Sequence, residues 1–294
     1  MSPKVLVTGA SGLLGRAIMR IFKEAGWETV GLAYSRVGPG LVKCDLTKPE
    51  EVKSLVEKEK PEFIVHAAAE RAPDAVENRY DEVCKLNVNA SGQLAALAKS
   101  VGARIIYVST DYVFDGTSPP YKATDPTNPL NKYGITKLEG EKAVVAANPR
   151  ACILRIPLLY GKVETIDESA VTCLLKLVKS SEEKYVSHYE RRYPCLVDDI
   201  ARILRDLVLQ LIKDDSITGI FQWSGKQRLT KYDMAMAMAH AFSLKHNIKP
   251  DPNSVPGAQR PFDAELDRSR LENLGISHHM DFETAIKECL SEWV

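Results

Sequence analysis

The sequence lacks the features that direct a protein to nucleic acid, to a membrane or to an oxidising compartment. Its 39 lysines and arginines are balanced by 39 aspartates and glutamates, so no overall charge attracts it to a polyanion. No apolar run approaches the roughly 20 residues that span a bilayer. Residues 1–4 lead directly into a predicted strand, so we expect no signal peptide.

Cysteine and histidine are present without any pattern. The six cysteines show neither Cys-x-x-Cys spacing nor clustering, which predicts reduced, mostly buried thiols in a cytoplasmic protein. The six histidines, including the adjacent His278 and His279, show no metal-ligand spacing with a third residue. We therefore predict no metal site.

A glycine-rich turn follows the first predicted strand. Residues 5–15 read Val-Leu-Val-Thr-Gly-Ala-Ser-Gly-Leu-Leu-Gly and lead into a helical pattern. Gly9 permits a tight turn, Gly12 lets the backbone approach a pyrophosphate, and Gly15 lets the helix pack against its strand. The start of that helix offers free N–H groups to an anion. Because the pattern lies between a strand and a helix at the start of the chain, it predicts a dinucleotide site rather than an ordinary turn.

The residues after the second strand favour NADP over NAD. An NAD site usually has an acidic residue about 20 positions beyond the first glycine, where it binds the ribose 2′-hydroxyl. Residues 34–36 are instead Tyr-Ser-Arg, and the guanidinium of Arg36 suits a 2′-phosphate. The alternative is that Arg36 is a solvated loop residue. After the next strand, Asp45 and Leu46 could hold and cover the adenine, or Asp45 could cap the helix that begins near residue 49.

Strand and helix patterns alternate through the first half of the chain. Strands are predicted at residues 28–33, 41–45, 63–67, 104–109 and 151–156, and helices at residues 50–59, 80–101 and 133–146. Near-continuous apolar strands joined by helices are typical of a parallel sheet covered on both faces. We predict an α/β fold with a Rossmann-type doubly wound sheet.

Beyond residue 157 the alternation becomes irregular. Asp198 or Asp199 is predicted to cap a helix that packs on the sheet. The apolar side of that helix repeats every 3.6 residues and comprises Ile200, Ile203, Leu204, Leu207, Val208, Leu211 and Ile212. Residues 230–233 resemble a capping box that opens a helix through residue 242. In that helix Met234 and Met238 are interpreted as core packing rather than as a ligand site. Residues 246–260 are predicted to form a loop.

These patterns divide the chain into two parts. We predict an NADP-binding Rossmann domain at residues 1–156, to which residues 196–223 return. Residues 157–195 and 224–294 are predicted to form a smaller C-terminal α/β lobe that binds a substrate or a partner.

A second group of functional residues lies at the ends of the middle strands. Residues 109–116, Ser-Thr-Asp-Tyr-Val-Phe-Asp-Gly, follow one strand. Tyr133 and Lys137 are four residues apart on the next helix and therefore share a face. The ammonium would lower the phenol pKa from about 10 toward neutrality, as a proton donor to a carbonyl requires. Thr110 could hydrogen-bond the same carbonyl oxygen. A surface helical pair is the alternative, but the position after a nucleotide-binding half favours catalytic roles for Thr110, Tyr133 and Lys137.

Arg191 and Arg192 form a further candidate site, between His188, Tyr189 and Tyr193. They could bind a substrate phosphate or the acidic patch of a partner. A solvated charged turn is the alternative.

The motifs resemble those of a known family over essentially the whole chain. The glycine loop, the segment 109–116, the Tyr-x-x-x-Lys pair and Arg-Pro-Phe-Asp-Ala-Glu-Leu-Asp at 260–267 are similar to extended short-chain dehydrogenases of the dTDP-4-dehydrorhamnose reductase group. Within that group the sequence resembles more closely the family of regulatory beta subunits of methionine adenosyltransferase. The resemblance rests on residues 66–71, 73–78, 155–161, 168–172, 221–225, 230–232 and 257–261.

This resemblance implies an NADP-binding protein that associates with the catalytic subunits that make S-adenosylmethionine and adjusts their activity. The reductase pattern adds Lys137 as a cofactor contact. The glycine loop adds Gly9 and Gly15. The other cofactor contacts that the resemblance implies are Ser11, Gly12, Leu13, Leu14, Tyr34, Ser35, Arg36, Asp45, Leu46, Ala67, Arg71, Tyr133 and Leu159.

Three functions therefore stay open. The first is a regulatory subunit that binds NADP as a structural or sensing ligand. The second is an active NADPH-dependent reductase of a sugar nucleotide that uses Thr110, Tyr133 and Lys137; Thr110 is the reductase-like residue at a position where animal regulators are expected to have serine. The third is a scaffold without tight cofactor binding, which the intact glycine loop disfavours. The same three residues could serve either of the first two functions.

Overall fold

The computed structural model describes residues 2–254 and 256–294, and it contains the predicted parallel sheet. Among these residues seven strands form one sheet in the order β10-β6-β5-β4-β1-β2-β3, and every neighbouring pair is parallel. The strands are β1 (Lys4–Thr8), β2 (Glu28–Ala33), β3 (Leu41–Lys43), β4 (Phe63–His66), β5 (Arg104–Thr110), β6 (Cys152–Ile156), β7 (Leu159–Tyr160), β8 (Lys184–Ser187), β9 (Cys195–Leu196), β10 (Gly219–Gln222) and β11 (Ile248–Asp251). The chain order reverses between β1 and β4, as in a Rossmann fold, so the predicted fold class is confirmed.

Helices cover both faces of this sheet. They are α1 (Leu13–Glu24), α2 (Pro49–Glu59), α3 (Pro73–Asn78), α4 (Tyr80–Cys84), α5 (Ser91–Ser100), α6 (Lys132–Ala147), α7 (Leu174–Val178), α8 (Val197–Lys213), α9 (Lys231–Ala241), α10 (Ser269–Glu272) and α11 (Phe282–Leu290). The apolar sides of α1 and α8 bury Phe22 and Leu204 against one face. Helices α2, α5 and α6 bury Val56, Leu94 and Val144 against the other. No helix in the described part of the chain is long and apolar enough to cross a membrane.

A third apolar cluster holds the second lobe together. It joins α7, α9 and α11, beside two small parallel sheets, β8 with β11 and β7 with β9. Met234 and Met238 are fully buried in this cluster, so their interpretation as core packing is confirmed. The predicted capping box is present at the start of α9, where Thr230 and Asp233 exchange hydrogen bonds. The boundaries proposed for the two lobes stay a prediction.

The long helix predicted over residues 80–101 is present as one continuous helical segment, but it is not a regular α-helix throughout. A wider, π-helical turn at Lys85–Ala90 separates α4 from α5. The turn contains the buried Asn87, whose side chain exchanges hydrogen bonds with the backbone of Glu70 and donates to Thr136. Because such a turn changes which side chains face inward, it brings an amide to the loop that follows β4, which helical periodicity alone does not predict.

Three predictions for the second half of the chain also need correction. The N-cap of α8 is Leu196 and has no side-chain cap, since β9 runs directly into the helix. Asp198 instead pairs with Arg20, and Asp199 accepts a hydrogen bond from the backbone N–H of Met280. Ile212, predicted to lie on the apolar side of α8, is exposed at the end of the helix. The predicted loop at 246–260 contains β11, whose proline is tolerated because the strand lies at the edge of a two-stranded sheet.

Candidate functional site

The predicted cofactor residues follow the carboxyl ends of successive strands. The glycine loop follows β1, residues 34–36 follow β2, residues 45–46 follow β3, and residues 67–71 follow β4, while Thr110 ends β5 and Leu159 follows β6. Because the strands are parallel, these ends lie along one edge of the sheet. Dinucleotides bind at this edge, beside the point where the strand order reverses.

The glycine loop has a shape that side chains would fill. Gly9 has a φ of +68°, and a Cβ atom on it would lie 2.9 Å from the Cα of Ala68 in the loop after β4. A Cβ on Gly15 would lie 2.1 Å from the carbonyl oxygen of Gly9. Gly12 is the N-cap of α1 and offers no side-chain acceptor to the first turn. The N–H groups of that turn therefore suit an anion such as a pyrophosphate.

Three arginines converge beside the glycine loop, on the buried Glu168. Both terminal nitrogens of Arg16 donate to its carboxylate, at 2.8 and 2.6 Å. Nη1 of Arg36 lies 3.1 Å from the same carboxylate and 3.2 Å from Glu164. Nη2 of Arg71 donates to the Glu168 backbone carbonyl at 2.5 Å. Arg36 is therefore not simply a solvated loop residue, because the carboxylates of Glu164 and Glu168 in the second lobe both contact its guanidinium.

Glu168 is held ionised by this arrangement. Burial raises the pKa of its carboxyl group, but hydrogen bonds from Arg16, from the backbone N–H of Glu164 and from Arg36 outweigh burial and lower the pKa to about 2. The carboxylate thus neutralises part of the positive charge of the three arginines. This charge lies beside the glycine loop, because Arg16 also donates to the carbonyl of Ser11.

The three predicted catalytic residues lie next to one another. Thr110 ends β5, Tyr133 lies in the first turn of α6, and Lys137 follows one turn later. The side chain of Asn131 caps this helix by accepting from the N–H of Gly134 at 2.9 Å. The hydroxyl of Thr110 donates to Asp111 at 3.1 Å and acts to lower the phenol pKa of Tyr133.

The electrostatics of the Tyr133–Lys137 pair differ from the prediction. Nζ of Lys137 donates to the Val108 carbonyl at 2.8 Å and lies 4.0 Å from the ring centroid of Tyr107. Burial lowers the pKa of this ammonium to about 7, and Glu141 offsets only part of that effect. Burial also raises the pKa of Tyr133, which Thr110 only partly counters. The expected lowering of the phenol pKa is therefore wrong in this structure, because burial raises that pKa and Lys137 is not among the groups that act on it.

A buried ion pair between Glu141 and Arg155 joins α6 to the sheet. Glu141 lies one turn after Lys137, and its carboxylate accepts from Nε of Arg155 at 2.9 Å and from Nη2 at 2.7 Å. Arg155 belongs to β6, so the pair fixes the helix against the sheet. At the end of β4, His66 lies between the hydroxyls of Thr8 and Ser91. Burial, followed by the charge of Lys137, lowers its pKa to about 3, so this imidazole is neutral.

The second lobe closes the other side of the Tyr133 region. Arg192 is buried, donates to the Pro261 carbonyl at 2.9 Å, and lies 5.8 Å from the ring of Tyr112. Its Nη2 has no hydrogen-bond partner in the described part of the chain. Burial raises the pKa of Asp111 to about 6, and the charge of Arg192 acts in the opposite direction. A solvated turn is therefore wrong for Arg192, whereas Arg191 is half-buried and its guanidinium lies 5.7 Å from the ring centroid of Phe262.

The structure also gives the positions of Asp45 and Leu46. Asp45 does not cap α2, whose N-cap is Lys48; its carboxylate accepts from Thr47 instead. Leu46 is buried.

Among residues 2–254 and 256–294, histidine, cysteine and carboxylate side chains form no group of three that could hold a metal ion.

Several residues of the site were not predicted. Arg16 carries a sequence signal, since it directly follows the last glycine of the loop. Glu164 and Glu168 carry no such sequence signal, because they lie near Arg36 only in the folded structure. Asn87 and Glu141 likewise act through contacts with distant segments.

Comparison with known proteins agrees with this arrangement. Residues 3–294 match the family model described as RmlD substrate binding domain. Methionine adenosyltransferase 2 subunit beta of Mus musculus is 48% identical over 292 residues, which cover 98% of this chain and 87% of that protein. The crystal structure of a dTDP-4-dehydrorhamnose reductase from Clostridium acetobutylicum superimposes with a TM-score of 0.85 at 32% identity and covers 98% of this chain and 99% of that one.

A further solved structure bears on the cofactor. The dTDP-4-dehydrorhamnose reductase of Bacillus anthracis, in complex with NADP, superimposes with a TM-score of 0.86 at 26% identity, over 99% of each chain. The chain therefore belongs to the RmlD substrate binding domain family, together with the beta subunits of methionine adenosyltransferase 2 and the dTDP-4-dehydrorhamnose reductases.

Proposed function

We propose that this protein is an NADP-binding, non-catalytic regulatory subunit of methionine adenosyltransferase that modulates the synthesis of S-adenosylmethionine. Its partner is then the catalytic subunit of that enzyme, in a cytoplasmic hetero-oligomer. The observation that carries the proposal is the 48% identity to a methionine adenosyltransferase beta subunit, which extends over 98% of the chain and therefore includes the second lobe, where substrate specificity would otherwise be encoded.

The site fits a phosphorylated dinucleotide. The glycine loop leaves room for backbone approach and supplies N–H groups, while Arg16, Arg36 and Arg71 place positive charge beside it. Leu46 would cover the adenine, and Arg36 would take the 2′-phosphate. In the regulatory role the nucleotide is a structural or sensing ligand, and it undergoes no chemical reaction.

The polar residues around Tyr133 support a ligand-holding role more than a catalytic one. A proton donor for a carbonyl needs a phenol pKa near the working pH, whereas burial raises that of Tyr133. The ammonium that would lower it donates to a backbone carbonyl. The second candidate, an NADPH-dependent reductase acting on dTDP-4-dehydrorhamnose or a similar sugar nucleotide, is favoured by one observation: Thr110, Tyr133 and Lys137 are adjacent at the carboxyl end of β5.

Two assays with the purified protein separate these functions. As a regulator, it should co-purify with the methionine adenosyltransferase catalytic subunit and shift its kinetics or stability, and the Tyr133→Phe variant should keep that shift. As a reductase, it should oxidise NADPH with dTDP-4-dehydrorhamnose at a rate within an order of magnitude of about 10 per second, and Tyr133→Phe should abolish this. The second pattern without the first would refute the regulatory proposal.

The choice of cofactor has its own test. NADP should bind more tightly than NAD, and Arg36→Ala should remove about a tenfold preference, since one charge-assisted contact to a phosphate is worth roughly 1.4 kcal/mol. Calorimetric titration with both nucleotides measures this. Arg20→Ala is the matched control, because Arg20 pairs with Asp198 on the outer side of α1. Equal affinities in the wild type, or an unchanged preference in Arg36→Ala, would contradict the assignment.

A further inference from the structure

The guanidinium of Arg36 already has two carboxylate partners from the second lobe. Glu164 and Glu168 lie 128 and 132 positions later in the chain, in the segment between β7 and α7. A single nitrogen, Nη1 of Arg36, lies 3.2 Å from Glu164 and 3.1 Å from Glu168. Two negative groups therefore stand where a third, the 2′-phosphate, is proposed to bind.

The two carboxylates differ in how firmly they are held. Glu168 is buried and keeps two hydrogen bonds to Arg16 and one from the backbone N–H of Glu164 without any help from Arg36. The side chain of Glu164 is 56% exposed, and its other charged partner is Arg16, at 3.3 Å. Glu164 can therefore leave Arg36 for water at small cost, whereas Glu168 is anchored.

We infer that Glu164 is a specificity-determining residue for the nucleotide, which competes with the cofactor 2′-phosphate for Arg36 and so restrains the preference for NADP over NAD. The inference rests on the proposed NADP binding. Binding of NADP exchanges the Glu164 carboxylate for the phosphate on Nη1 of Arg36, while Glu168 stays on Arg16. NAD has no 2′-phosphate, so its binding requires no such exchange.

The expected size of the effect follows from exposure. Arg36 and Glu164 are both more than half exposed, and an ion pair of this kind changes an equilibrium by about two- to fivefold. Glu164→Gln should therefore tighten NADP binding by about two- to fivefold and leave NAD binding unchanged. The effect should shrink as salt is added, because exposed charges are screened.

The experiment is a double-mutant cycle read by calorimetric titration of NADP and NAD. Wild type, Glu164→Gln, Arg36→Ala and the double variant are compared, with Asp167→Asn as the matched control. Asp167 lies in the same segment and is similarly exposed, but it pairs with Lys176. The control should change neither affinity, and Glu164→Gln should have no effect once Arg36 is absent.

Each outcome decides the inference. Weaker NADP binding in Glu164→Gln, an equal change for NADP and NAD, or the same gain in Asp167→Asn would overturn it. If Arg36→Ala loses the NADP preference but Glu164→Gln behaves as wild type, only this inference fails. If Arg36→Ala keeps the preference, or if neither nucleotide binds the wild type, the proposed cofactor site fails and this inference fails with it.

Discussion

Replacement of Lys137 by methionine should reveal how far this buried lysine is neutral. Burial lowers its pKa to about 7, from 10.5 in the unfolded chain. Between these two values the unfolded state binds the additional proton, so this lysine makes folding more favourable as the pH rises. At 1.36 kcal/mol per pH unit, the rise from pH 6 to pH 9 adds about 2.5 kcal/mol to the free energy of unfolding of the wild type.

The Lys137→Met variant lacks this contribution. The side chain loses its hydrogen bond to Val108 at every pH, so only the change between pH values reports the titration. Urea unfolding at pH 6 and pH 9 should show that the stability of the variant relative to the wild type falls by about 2.5 kcal/mol at the higher pH. Lys142→Met, an exposed position on the same helix, should show no such change.

A stability difference that is the same at both pH values would refute the reasoning. It would mean that Lys137 keeps an ordinary pKa and is fully charged at neutral pH. In that case its charge would be available to the phenol of Tyr133, and the electrostatic argument against catalysis would no longer hold.

Other residues of the site yield three further predictions. Gly15→Ala should abolish nucleotide binding, because its Cβ would lie 2.1 Å from a backbone oxygen, whereas Gly38→Ala, which meets nothing within 4 Å, should bind normally in the same titration. Glu141→Gln should lower the free energy of urea unfolding by about 3–5 kcal/mol, since it leaves the buried Arg155 charge without its partner; a loss below about 1 kcal/mol would contradict this. The stabilisation from Glu168, whose folded pKa is lowered to about 2, is present above the unfolded value near 4.5 and should be lost as the pH falls toward 2, by up to about 3 kcal/mol; a melting-temperature difference from Glu168→Gln that stays constant between pH 5.5 and pH 3 would argue against it.

Local patterns were sufficient to predict most of the sheet. The apolar runs, the glycine loop and the turn residues act within a few positions of one another, and the six predicted strands of the first half all appear in the structure within a few residues of their expected ends. The capping box at Thr230 and Asp233 is also local and was predicted correctly. The sequence pattern failed where a neighbouring segment decides the local geometry, as at Asn87, where a π-helical turn replaces the regular helix.

The sequence by itself determined the order of the strands in the first half of the chain, the glycine loop, and which residues follow the carboxyl ends of those strands. Only the tertiary structure decided the charges at that edge. It brought Glu164 and Glu168 to Arg36 and directed the ammonium of Lys137 to the Val108 carbonyl. Ion pairing and desolvation depend on which side chains meet and how much water is excluded between them. Spacing along the chain carries neither quantity when the partners come from separate segments.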